Sequence, residues 1–250
     1  MILGQKLQKK VSKKIEILYE DDLCLVINKP AGLAVQGGVG INTSLDKILS
    51  EIRSPAPLLV HRLDRDTSGV ILTAKSKDAA ALFSKYLGEN TNTKKYYNAI
   101  CLNNKSFSCK EGVINFDLQY KDEQKKAITK YKVLSNGKIE TGNGIINFTF
   151  LELELGTGRM HQIRRHLAMN GSPILSDDKY GDFKLNRNLK KIINLKKLLL
   201  HSKRLIIKEL NIDITAPLPF YFLDVLDISH EKHENLRKSL YFFQILLENF

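Results

Sequence analysis

The sequence contains no tryptophan, six prolines and only three cysteines among its 250 residues. The cysteines, Cys24, Cys101 and Cys109, are odd in number, and no two of them have the spacing of a C-x-x-C motif. That pattern argues against a disulfide framework and against a zinc ribbon. Free thiols suit a reducing compartment, so we expect a cytoplasmic protein.

Long hydrophobic runs are also missing. The longest apolar runs, such as 198–200, are far below the roughly 18 residues that a membrane span requires. The first residues, MILGQKLQKKVSKK, contain neither an apolar signal core nor a small-residue cleavage site. The sequence therefore predicts no membrane attachment and no secretion. A chain of this length can bury roughly 70–75% of its unfolded surface, so we expect one domain over 15–250 with a proper core.

Acidic residues are absent from two basic stretches. Residues 1–14 hold five lysines, residues 184–208 hold nine lysines or arginines, and neither stretch contains an acid. With a net charge of +12 and a pI near 9.5, the chain favours a polyanionic partner such as nucleic acid. A membrane surface is the lesser alternative, because neither stretch has a face of Trp or Phe.

The most informative segment is His61–Gly69, which reads HRLDRDTSG. It places Asp64 between Arg62 and Arg65, two residues before Asp66, where an apolar strand runs into a turn. Neighbouring guanidinium groups would favour the ionised carboxylate, which can act as a nucleophile or a base. Guanidinium groups also fork onto phosphate oxygens. The alternative is that the two acids only form structural ion pairs.

Hydrophobic periodicity and turn residues predict the elements. Strands are expected near 15–20, 23–27, 94–102, 112–118, 127–134 and 145–155, and helices near 43–52, 76–87, 159–169 and 231–249. Most strands follow one another through short turns rather than through regular crossover helices. This order favours an α+β fold with a mixed, mainly antiparallel sheet and flanking helices.

A pair of adjacent tyrosines lies in the segment KYYNA at 95–99. Because side chains alternate along a strand, Tyr96 and Tyr97 are expected on opposite faces of the sheet. An aromatic ring that stacks on a nucleobase contributes about 1–3 kcal/mol. The alternative for such a pair is core packing and edge packing.

The segment GTGRMHQIRRHL at 156–167 combines basic and apolar residues. In a helix, Arg164 would share a face with Met160, Ile163 and Leu167. A buried arginine needs an anionic partner, for which Asp64 is the natural candidate. Arg159 would oppose the helix dipole unless an anion such as phosphate lies there.

Two histidines of this segment, His161 and His166, lack the H-E-x-x-H pattern of zinc enzymes and have no cysteine nearby. We therefore expect no metal site. Both histidines are expected to form hydrogen bonds, either within the protein or to a nucleic acid.

These segments resemble the motifs of the RluA-type pseudouridine synthases, which isomerise chosen uridines in RNA. Residues 61–69 match the signature H-R-L-D-x-x-T-S-G, and 95–99 are similar to K-x-Y-x-A. Residues 156–167 resemble T-G-R-T-H-Q-I-R-V-H, with Met160 and Arg165 as departures. The resemblance spans about 15–225. It implies a catalytic domain with a curved sheet and a central cleft, and no cofactor.

The resemblance also implies roles for individual residues. Asp64 would be catalytic, either as a nucleophile or as a base that removes a sugar proton, and both roles stay open. Tyr97 would stack on the extruded base, and Arg164 would hold Asp64. Leu200 would wall the uracil pocket, although a plain core role is an equal alternative. The residues expected to contact RNA are His61, Arg62, Arg65, Arg159, His161 and Leu200.

Three shorter segments, 34–38, 129–133 and 177–182, are similar to the RluC-like branch of the family, whose members modify large-subunit ribosomal RNA. We therefore expect 23S ribosomal RNA as the substrate, with transfer RNA as the alternative, and a monomeric enzyme. Those members usually carry an N-terminal S4 domain. Here a basic tail, 1–14, precedes the catalytic part, and we interpret it as a remnant of an S4-domain linker.

Two other functions compete with this interpretation. The first is an RNA-binding module without catalytic activity. The second is a nucleosidase or glycosidase, which would use two catalytic carboxyl groups and would make Asp66 as essential as Asp64.

Overall fold

The computed structural model describes residues 15–228, apart from 89, 90, 104–106, 108 and 143. The basic tail at 1–14 and the helix expected near 231–249 lie outside the described residues. The strands are β1 (Glu16–Glu20), β2 (Cys24–Lys29), β3 (Leu58–Leu59), β4 (Ser68–Ala74), β5 (Lys94–Leu102), β6 (Glu111–Ile114), β7 (Leu118–Tyr120), β8 (Glu123–Lys125), β9 (Thr129–Thr141), β10 (Gly144–Leu155), β11 (Leu200–Ile207) and β12 (Ile212–Thr215). The helices are α1 (Leu45–Ile52), α2 (Lys77–Leu87), α3 (Gln162–Met169), α4 (Phe183–Ile192) and α5 (Phe220–Ile228), with a short 3-10 helix at Lys208–Leu210.

In the described part of the chain, one sheet of ten strands follows the order β1-β2-β4-β11-β5-β10-β9-β6. Strand β3 pairs with β4, β12 pairs with β11, and β7 and β8 form a separate hairpin. Neighbouring strands are antiparallel except for β4 and β11, which are parallel. The expected α+β class with a mixed, mainly antiparallel sheet is confirmed.

The parallel contact between β4 and β11 lies at the end of the HRLDRDTSG segment. Ser68 pairs with His201 and Gly69 with Ser202. Gly69 has a φ of +107°, and a Cβ atom at this position would lie 2.1 Å from the carbonyl oxygen of Ser202. Only glycine tolerates both the backbone conformation and the close approach. The last residue of the segment thus allows the two strands to meet.

The central strands are buried on both faces of the sheet. In β2, Cys24 and Val26 pack into one apolar cluster with helix α2, while Leu25 and Ile27 pack into another with α1, α3, α4 and α5. All seven residues of β4 are buried as well. Helices therefore cover both faces, and the last two residues of the HRLDRDTSG segment, Ser68 and Gly69, are part of this buried layer.

The helix expected at 159–169 begins later than the periodicity predicts. His161 adopts a left-handed conformation with a φ of 53°, and α3 starts only at Gln162. Arg159 and Met160 consequently belong to the preceding loop, and Met160 is 55% exposed. The prediction that Met160 shares the buried helix face with Arg164 is wrong, because the left-handed residue turns the chain before the helix begins.

Candidate active site

A cavity of about 580 Å³, its open mouth included, lies beside residues 61–64 and Thr67 of the HRLDRDTSG segment. Of the nine residues predicted to act in the site, eight line the cavity: His61, Arg62, Asp64, Tyr97, Arg159, His161, Arg164 and Leu200. They come from segments far apart in the sequence, and the sheet brings them together.

The ninth residue, Arg65, lies elsewhere. Its side chain is 71% exposed, its Nε atom lies 3.9 Å from Asp66, and the same nitrogen donates a hydrogen bond to the carbonyl oxygen of Gly32. The sequence position of Arg65 suggested that its side chain flanks the Asp64 carboxylate. The structure shows that it does not, because the turn directs the Arg65 side chain outwards.

The Asp64 carboxylate faces the cavity and is 27% exposed. His161 Nε2 lies 3.6 Å from one carboxylate oxygen, and Arg164 Nη1 lies 3.9 Å from the other. Both distances are longer than a hydrogen bond, so a bound group can still approach the carboxylate. A partly solvated acid between an imidazole and a guanidinium group suits a nucleophile or a base.

The main partner of Arg164 is Asp177, whereas the sequence analysis expected Asp64 to be its partner. Arg164 donates hydrogen bonds of 2.8 and 2.7 Å to the two oxygens of Asp177, which is fully buried, and one of 3.1 Å to the exposed Asp178. Burial opposes both charges, but these hydrogen bonds outweigh it: the pKa of Arg164 is raised and that of Asp177 is lowered. Sequence alone gave no signal for this pair beyond the family-like segment at 177–182.

Tyr180 contacts both residues whose nitrogen atoms lie near Asp64, namely His161 and Arg164. Its hydroxyl lies 3.0 Å from Nδ1 of His161, and the guanidinium carbon of Arg164 lies 5.3 Å from the centre of its ring. The backbone amide of Tyr180 donates to Asp177. Burial lowers the pKa of His161, so its imidazole is neutral at physiological pH. Residue types and spacing did not reveal this role of Tyr180.

Tyr97 lies on β5, opposite Leu153 of β10 and Ser202 of β11. Only 9% of the residue is exposed, whereas Tyr96 projects from the other face of the strand. Burial, with a smaller contribution from the Asp64 charge, raises the pKa of Tyr97 to about 12. The phenol therefore stays protonated and can donate a hydrogen bond into the cavity.

Lys29 holds the backbone of the HRLDRDTSG segment through a hydrogen bond to Arg65. It is fully buried, and its ammonium group donates to the carbonyl oxygens of Pro30, Leu33 and Arg65 at 3.1, 2.8 and 2.9 Å. Burial lowers the pKa of Lys29 to about 7, although the nearby Asp66 and Asp64 partly oppose the shift. The sequence showed only a lysine before a proline at the end of an apolar strand.

The histidines have structural hydrogen bonds. His61 Nε2 accepts the amide proton of Leu72 at 2.9 Å, and burial lowers the pKa of His61 to about 3. A neutral His61 cannot attract a phosphate by charge, so it serves as an anchor of the segment to β4. His166 contacts the Thr129 hydroxyl at 3.0 Å and the carbonyl oxygen of Phe116 at 2.9 Å.

Leu200 is 3% exposed and belongs to the core as well as to the cavity wall.

Within the described ranges, no cluster of three or more His, Cys, Asp or Glu side chains is arranged to hold a metal ion. Among the helices that the structure describes, none combines the length and the apolar character needed to span a bilayer.

Comparisons with known proteins give the family. Residues 23–169 match the RNA pseudouridylate synthase family. The chain is 35% identical to ribosomal large subunit pseudouridine synthase C of Rickettsia felis, covering 86% of this chain and 72% of the relative. It is 35% identical to the protein of the same name from Haemophilus ducreyi, with 90% and 72% covered. The solved structure of human RNA Pseudouridylate Synthase Domain Containing 4 aligns with a TM-score of 0.69 at 27% identity, over 91% of this chain and 97% of that one.

The fold and the cavity therefore define an enzyme of the pseudouridine synthase class. The chain belongs to the RNA pseudouridylate synthase family. It isomerises uridine to pseudouridine in RNA, as the resemblance implied.

Proposed function

We propose that this enzyme modifies large-subunit ribosomal RNA, with Asp64 as its catalytic carboxylate. The observation that carries the catalytic assignment is the position of Asp64, whose partly exposed carboxylate faces the cavity between His161 and Arg164. The ribosomal substrate is supported by the names of relatives that match 86–90% of the chain. Transfer RNA is the alternative substrate.

The reaction requires one nucleotide to leave the RNA stack and enter the cavity, at a cost of a few kcal/mol. The bond between C1′ and N1 breaks and a bond between C1′ and C5 forms. The C5 proton leaves, N1 gains a proton, and the mass of the RNA is unchanged. Asp64 either attacks the nucleotide or removes a sugar proton, and its partly exposed position in the cavity lining is compatible with both roles.

The other cavity residues have supporting roles in this proposal. Tyr97 stacks on the extruded uracil or donates its phenolic hydrogen bond, because its raised pKa keeps the hydroxyl protonated. Arg164, held by Asp177, fixes the direction of the Asp64 carboxylate. Arg62 and Arg159 bind phosphates at the cavity mouth. We further propose that the enzyme acts as a cytoplasmic monomer without a cofactor.

The decisive experiment compares Asp64→Asn with Asp66→Asn as a matched control. Large-subunit RNA from cells lacking the protein is incubated with each purified enzyme and digested to nucleosides, and pseudouridine is separated from uridine by liquid chromatography because the two isomers have the same mass. Asp64→Asn should lose isomerisation and keep RNA binding, whereas Asp66→Asn should keep most of the activity. Release of free uracil by the wild-type enzyme, lost equally in both variants, would instead support a hydrolase with two carboxyl groups.

Mapping pseudouridines in the same cells identifies the substrate. A uridine that becomes unmodified only in the large-subunit RNA supports the ribosomal assignment. A loss of pseudouridine confined to transfer RNA overturns the ribosomal assignment. If no RNA loses pseudouridine and the protein binds RNA in vitro, the results support an RNA-binding module.

A further inference from the structure

A second groove continues from the catalytic cavity to the hairpin of β7 and β8. It measures about 1050 Å³, its open side included, and shares Arg62, Asp64, Gly158, Arg159 and His161 with the cavity. The residues that line only this groove are Leu118, Tyr120, Lys125, Met160 and Arg165. The groove thus starts at the proposed catalytic carboxylate and leads away from it along the protein surface.

The lining of the groove combines positive charge with an aromatic ring. Four residues with cationic side chains, Arg62, Lys125, Arg159 and Arg165, line the groove, and Asp64 is the one acidic residue of the lining. Tyr120 is 44% exposed, while Leu118 is 1% exposed and forms the floor. An exposed ring beside a row of cations is the combination that proteins use for single-stranded nucleic acid.

Lys125 connects these two features. Its ammonium nitrogen lies 5.4 Å from the centre of the Tyr120 ring and 3.4 Å from a carboxylate oxygen of Glu123. The side chain of Glu123 is 74% exposed, and ion pairs of this kind contribute little. A phosphate oxygen can therefore replace Glu123 as the partner of Lys125 without a large loss.

We infer that this groove binds the RNA strand on one side of the target uridine, with one flanking base stacked on Tyr120 and phosphates at Lys125 and Arg165. The inference rests on the proposed function, because the strand that enters the groove is the one whose extruded nucleotide occupies the cavity. The neighbours of that nucleotide have to leave the cavity along a surface that accepts phosphates. The groove supplies such a surface directly beside Asp64.

The test measures kcat/KM on an RNA fragment that contains the modified uridine and is shortened one nucleotide at a time from either end. With the wild-type enzyme, removal of flanking nucleotides on one side only should lower kcat/KM. Tyr120→Ala should lower kcat/KM roughly 5- to 150-fold on the full fragment, the equivalent of one stacked base. The same variant should lose the sensitivity to shortening on that side.

Two controls separate stacking from stability. Tyr120→Phe keeps the ring and should retain kcat/KM within about twofold. Tyr19→Ala removes an exposed tyrosine from the distant strand β1 and should have no effect. If Tyr120→Ala matches the wild type on every fragment, the groove proposal is overturned and the isomerase assignment stands.

A binding measurement tests the groove without relying on catalysis. Fluorescence anisotropy with a labelled oligouridylate of about twelve nucleotides should show weaker binding for Tyr120→Ala and for Lys125→Ala. The salt dependence should also decrease by about 0.7 in log–log slope for Lys125→Ala, the value for one phosphate contact with a single strand. Unchanged affinity and slope in both variants would contradict the proposal, whether or not pseudouridine is formed.

Discussion

Arg164 lies between two carboxylates at unequal distances. Its Nε and Nη2 atoms donate to Asp177 at 2.8 and 2.7 Å, whereas its Nη1 atom lies 3.9 Å from Asp64. The guanidinium is thus fixed by an acid that is fully buried and directed towards an acid that faces the cavity. The direction of the proposed catalytic group depends on a residue that lies outside the cavity.

Asp177→Asn tests this dependence. One anionic acceptor is lost, so the guanidinium of Arg164 is less well fixed, and kcat should fall roughly 10- to 100-fold because a shift of about 1 Å is enough for such a loss. The free energy of unfolding should fall by about 3 kcal/mol, since a buried charge loses its partner. Asp178→Asn is the matched control, because Asp178 is 79% exposed, and both quantities should hardly change. A folded Asp177→Asn enzyme with the kcat of the wild type would refute the role.

Substitutions at Tyr180 separate its hydroxyl from its ring. Tyr180→Phe removes the hydrogen bond to His161 but keeps the ring beneath Arg164. A hydrogen bond of this kind contributes roughly 0.5–1.5 kcal/mol, so kcat should fall about 2- to 10-fold. Tyr180→Leu also removes the ring and should lower kcat further, with a KM for RNA close to that of the wild type. An equal kcat in both variants would show that the ring contributes nothing.

Gly69→Ala should separate β4 from β11. The new Cβ would lie 2.1 Å from the carbonyl oxygen of Ser202 at a φ of +107°. Steric overlap and backbone strain together should lower the free energy of unfolding by roughly 3 kcal/mol, as measured by urea denaturation. Gly142→Ala introduces a Cβ with no atom within 4 Å and should leave stability within about 0.5 kcal/mol. Similar curves for the two variants would contradict the steric explanation.

Acid should destabilise the protein through its buried histidines. Burial lowers the pKa of His61 to about 3 and that of His201 to about 4, whereas the unfolded chain binds these protons near pH 6.5. Between these values the unfolded state carries more protons, so stability falls as the pH falls from 6.5 towards 4. The slope is up to about 1.4 kcal/mol per pH unit for each histidine.

Urea denaturation at pH 7.5, 6 and 5 measures this slope. His201→Asn should reduce the slope by the contribution of one histidine, up to about 1.4 kcal/mol per pH unit, because the ring that contacts Ser68 is no longer present to titrate. Stability that is constant or that rises on acidification would contradict the assignment of neutral, buried rings.

Local patterns predicted much of the fold, and contacts between distant segments explain what they missed. Strand β5 coincides with the expected 94–102, because its apolar residues and flanking turns are local signals. The residues of the cavity could be predicted from short sequence motifs, which are recognised without knowledge of the strand order. The pairing of Arg164 with Asp177 joins two segments through a turn, so periodicity could not indicate it. The left-handed His161 interrupts a helical pattern that the residue types alone would continue.

The place of β11 has a consequence for biosynthesis. In the sheet that the structure describes, the N-terminal strands β1, β2 and β4 are hydrogen-bonded to the later strands β5, β10, β9 and β6 through β11. Asp64, Tyr97 and Arg164 all precede β11 in the sequence, and β11 begins 36 residues after Arg164, at Leu200. A nascent chain that stops before residue 200 lacks this strand, so we expect it to be inactive although it contains all three residues.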